Sequence, residues 1–91
     1  MQKRLLAEDL YSYLVSLAAL LKKNAEVEAA EKVIHVSRFM SGSTSELYGE
    51  ARLLLPKVLE ESGCKLSEID RARLREIIAG IEHEFTRIGS A

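Results

Sequence analysis

The stretch LLAEDLYSYLVSLAALLKK, residues 5–23, decides the fold class. Leu6, Leu10, Leu14, Leu17 and Leu21 recur at spacings of four and three. That is the period of one helical stripe, whereas a half-buried strand would alternate every second residue. The run predicts a first helix over residues 3–22. Asn24 follows as a stop for this helix and a cap for the next.

Working outward, the same period returns three times. A second helix is expected over residues 25–40, with Ala29, Val33, Val36 and Met40 on its stripe. The small polar run Ser41-Gly42-Ser43-Thr44-Ser45 reads as a linker. A third helix starts near Thr44. Ser43 and Glu46 have capping-box spacing, with Ser45 as a competing cap. Leu47, Ala51, Leu54 and Val58 form its stripe. Pro56 has no N–H and its ring collides with the carbonyl four residues back, so a kink or break is expected between Arg52 and Pro56. Gly63 is placed to end this helix in a left-handed conformation. A fourth helix begins at Ser67, with Glu68 and Asp70 suiting the positive end of the helix dipole. Its seam is Leu74, Ile77, Ile78, Ile81, Phe85 and Ile88, and residues 89–91 should fray. The expected fold is all-α, an antiparallel four-helix bundle in one domain, residues 1–91, with the third helix kinked or broken near Pro56.

Composition narrows the function classes. The chain has 91 residues, 13 Lys plus Arg against 14 Asp plus Glu, and a formal net charge of −1. Nucleic-acid binders and polybasic membrane proteins need a local excess of cations, so neither class is expected as a partner. Aromatic residues are 5% and Trp is absent, which leaves little for a base-stacking platform. A lone cysteine, Cys64, forms no disulfide within the chain and points to a cytoplasmic location. The apolar run over residues 10–21 is shorter than the roughly 20 residues a membrane span needs. A helix lying on a bilayer would bring Glu8 and Asp9 to anionic lipid.

Candidate chemistry is sparse. Glu28, Glu31 and His35 share a face of the second helix, but their spacing differs from the Glu-x-x-His pattern of inward-facing bundle metal sites, and the face is polar. His83 lies between Glu82 and Glu84, opposite the seam. Cys64 has Lys65 beside it, without a nearby histidine or a resolving thiol. Arg71, Arg73 and Arg75 are the only basic cluster, with acids three residues away on either side. No nucleophile–base or acid–base pair emerges, and no catalytic, cofactor or metal site is assigned. Gly49 and Gly80, mid-helix, are read as points of close helix approach.

The helical faces carry the remaining information. At 100° per residue, the fourth helix has an apolar arc of roughly 100°, as expected for one buried face. The first helix is apolar over roughly 220°, because Tyr11, Val15 and Ala18 widen one flank and Tyr13 and Leu20 the other. The second is similarly broad, with Ile34 and Val27 on one side and Val36 and Phe39 on the other. Tyr11, Val15, Ala18, Ile34 and Phe39 are therefore the expected association surface. Leu10, Leu14, Leu17, Val33, Leu54, Ile77, Ile81 and Phe85 are the expected intrachain core. Two over-wide arcs lead to the expectation of a homodimer, or contact with another protein, and of a small non-catalytic interaction module serving as an adaptor or regulatory subunit. The alternatives are a bundle that binds a small ligand or metal, and a DNA-associated regulator.

Overall fold

A computed structural model describes residues 5–89, with side chains described through Thr86. The four helices are α1 (Ala7–Lys23), α2 (Val27–Ser37), α3 (Thr44–Ser62) and α4 (Glu68–Gly89). There is no strand among the described residues. α1 packs most extensively on α2, α3 on α4, and α2 on α3. Early α2 lies against late α3 and late α2 against early α3, Leu5 lies at Gly80 while Tyr13 lies by Arg73, and Gly49 and Arg52 meet Phe85 and Glu82. The chain is thus an antiparallel, up–down–up–down arrangement. It measures 40 × 29 × 18 Å, and its short dimension is two helices thick.

The leucine stripe of α1 sits at the centre. Leu10, Leu14 and Leu21 are fully enclosed, as are Val33, Leu47, Leu55, Leu74 and Ile81 from the other helices. Leu17 and Ile77 join them, as expected. Leu54 and Phe85, also expected in the core, pack at its edge and remain half-buried. On α3 Leu55 is fully buried rather than Leu54, and on α2 Ala30 is buried more deeply than Ala29.

Helix ends explain where the boundaries moved. Lys3 and Arg4, expected in the first helix, lie outside the described residues; α1 begins at Ala7, with the Asp9 carboxylate accepting from the Leu6 N–H at 3.3 Å. Asn24 does stop α1, donating through Nδ2 to the Leu20 carbonyl at 2.9 Å. It does not cap α2, whose preceding residue is Glu26. Ala25 intervenes in the left-handed region at φ 64°. Glu26 N–H donates to Leu21 O at 2.8 Å and Ala25 N–H to Lys22 O at 3.1 Å, the two bonds of a Schellman ending.

α2 ends at Ser37, short of the expected residue 40, and Arg38–Ser41 tighten into a 3₁₀ turn. Ser37 Oγ donates to Ile34 O at 2.6 Å and Ser41 Oγ to Arg38 O at 3.0 Å. These side chains occupy carbonyls that a continuing α-helix would use. Ser43 caps α3 by accepting from the Glu46 N–H at 3.4 Å. Ser67 precedes α4, accepting from the Asp70 N–H at 3.2 Å and donating to its carboxylate at 2.9 Å.

The third helix is not broken at Pro56: it runs continuously over Thr44–Ser62. Pro56 and Arg52 both face solvent, so water can satisfy the carbonyl that the missing N–H leaves. Gly63 is not left-handed: it has φ −57° and opens a right-handed 3₁₀ turn over Gly63–Lys65. Gly63 N–H still serves the Leu59 carbonyl from its helical conformation. From α4, Arg71 Nη1 donates to both Gly63 O and Leu66 O at 3.2 Å, bracing the turn that follows.

The two mid-helix glycines do mark close approaches. A Cβ at position 80 would stand 3.3 Å from Leu5 Cδ2, and one at position 49 would stand 3.4 Å from Phe85 Cε2. Leu5 is held there by its own carbonyl, which accepts from Tyr48 Oη at 2.8 Å.

Two backbone substitutions should stabilise the chain, as read by urea unfolding. Ala25→Gly relieves a left-handed alanine and should add about 1 kcal/mol. Gly63→Ala keeps a right-handed backbone, meets only ordinary contacts, and should add about 0.4–1 kcal/mol; a loss there would mean that Gly63 turns left-handed in solution.

Candidate functional site

α1 has two flanks outside the core, and they differ in chemistry. On the flank toward α4, Asp9, Ser12, Tyr13 and Ser16 face Arg73, Glu76, Ile77 and Gly80 across an open cleft of about 720 Å³. On the flank toward α2, rotated away from that cleft, lie Glu8, Tyr11, Val15, Ala19 and Lys22. These five fall within an arc of about 80° by helical rotation. All five are exposed. Tyr11 retains 41% of its accessible surface and Val15 46%.

The expected association residues are therefore divided. Tyr11 and Val15 stand on the open face. Ile34 and Phe39 are half-buried against the core, and Phe39 also meets the His35 ring edge-on, with centroids 5.8 Å apart and planes at 86°. Ala18 is corrected: at 2% exposure it belongs to the core. By helical rotation it lies between the buried stripe and Tyr11. Val27, at the start of α2, is as open as Val15.

Glu8 and Lys22 are charged and so fall outside an apolar surface; Ala19, though apolar, was not among the residues expected there. Their signal was positional, since each shares the rotation of Val15. The α1–α4 cleft also escaped the sequence reading. Tyr13 was read as part of a broad apolar flank, whereas its phenol stands in a polar wall. Burial pushes that phenol up to about 12; Arg73 opposes the shift and Asp70 adds to it.

Other candidates take structural places. Arg71 bonds two carbonyls, Arg73 lines the cleft and Arg75 is exposed, so the basic cluster diverges. Arg52 bonds Glu82 at 2.6 Å and lies 4.8 Å over the Phe85 ring, tying α3 to α4. Glu84, which the sequence places among polar neighbours, is 2% exposed and lies one turn from Gly80. His35, His83 and Cys64 are exposed. Among the described residues, no three His, Cys, Asp or Glu side chains converge on a metal-sized site, and no helix is long and apolar enough to cross a membrane. Comparison with protein-family models, curated proteins and solved structures finds no match to this chain.

Tyr13 gives a pH signature. Burial raises the phenol pKa from the usual 10.0 to about 12. A raised acid contributes stability that is intact below the unfolded value and declines as pH rises from about 10 toward about 12. Tyr13→Phe should therefore flatten the loss of stability across that window, measured by denaturant unfolding at stepped pH. An unchanged slope would show that Tyr13 is solvated.

Proposed function

We propose that this chain is a non-catalytic helical interaction module that pairs with a second copy of itself through the outer face of α1, bordered by α2. One observation supports this reading above others: Tyr11 and Val15 keep 41% and 46% of their surface open on a helix whose leucine stripe is enclosed. On α2, Ile34 is partly covered against the core. Completing the burial of each such half-open side chain contributes about 1 kcal/mol, half of the value for a fully exposed one. Two-fold pairing doubles every contact, which makes a small patch effective. A cytoplasmic adaptor or regulatory subunit is the setting that fits.

A second reading draws on the α1–α4 cleft, whose wall of Asp9, Ser12, Tyr13 and Arg73 would suit a small polar ligand. The two readings use opposite flanks of α1.

Sedimentation across the micromolar range separates them. The native chain should run as a dimer of the 10.2 kDa subunit, and Val15→Glu should run as a monomer with unchanged helicity, since Val15 is not in the core. A native chain that stays at 10.2 kDa throughout would overturn self-pairing and leave the cleft as the better reading.

A further inference from the structure

Building on that self-pairing, we infer that two copies of α1 cross antiparallel, with the two-fold axis at Val15. The exposed stripe is balanced about this residue. Glu8 lies seven positions before Val15 and Lys22 seven after; Tyr11 lies four before and Ala19 four after. At about 1.5 Å per residue, these pairs stand about 10.5 Å and about 6 Å from the centre on either side.

An antiparallel crossing at Val15 sets Glu8 of each copy against Lys22 of the other, giving two opposite-charge pairs. It also sets each Tyr11 ring over the other copy's Ala19, the smallest residue on the stripe, which leaves room for the ring. A parallel crossing does the reverse on both counts. It stacks Glu8 on Glu8 and Lys22 on Lys22, repelling at both ends, and it opposes the two Tyr11 rings. The charge order thus selects one occupant and one direction: a second copy of this chain, running the other way.

Cysteine cross-linking of the full chain in a Cys64→Ser background tests the register. Val15→Cys should form an interchain disulfide on mild oxidation, because the two positions meet at the axis within disulfide reach. A mixture of Tyr11→Cys and Ala19→Cys chains should cross-link to each other, while neither links efficiently to itself. Reversing one charge, Glu8→Lys or Lys22→Glu, should weaken the dimer roughly tenfold at low salt, and the double reversal should restore it.

Self-linking at Tyr11→Cys would establish a parallel pair and overturn the register. So would a dimer seen in sedimentation that gives none of the cross-links, or one whose double reversal stays weak; in these cases self-pairing itself survives. A native chain that is monomeric overturns both.

Discussion

Enclosure of the α1 leucines is the constraint on which the rest of this structure depends. Leu10, Leu14 and Leu21 keep none of their surface open, and one neighbouring helix cannot achieve that. α2 supplies Val33 and Ala30, α3 supplies Leu47 and Leu55, and α4 supplies Leu74 and Ile81. With only 91 residues, the chain commits three helices to covering the stripe of the fourth. What remains of α1 outside that stripe is divided between a polar cleft and an apolar ridge.

Much of this architecture was legible in the residues. The three-and-four spacing of leucines survives folding because core geometry and helical period are one signal. The caps at Ser43 and Ser67 were equally legible, since each acts on a backbone N–H within its own turn. Errors arose where surroundings beyond the local sequence matter. Gly63 looks like a left-handed cap, yet it stays helical, its N–H on Leu59 O and its carbonyl braced by Arg71, eight positions on. Pro56 looks like a breaker until its exposure shows that solvent can replace the lost bond. Ala18 looks like surface, yet it is buried.

The candidate surface was half legible for a related reason. Apolar width on α1 marked Tyr11 and Val15, and both stay open. A list of apolar residues has no means of selecting Glu8 or Lys22, which share the rotation of Val15. Nor does helical rotation alone show that a cleft lies between α1 and α4, because that depends on how the helices pack.

The close approach of Leu5 to Gly80 has a mechanical consequence. Leu5 touches Gly80 on α4, and its carbonyl is held by Tyr48 on α3, so the amino-terminal hairpin is riveted to the carboxy-terminal hairpin at one extremity. Toward Arg73 the facing walls have no comparable rivet among the hydrogen bonds described. The hairpins are joined again where α2 packs on α3, so the seam between them is closed on that side and open only beside Tyr13.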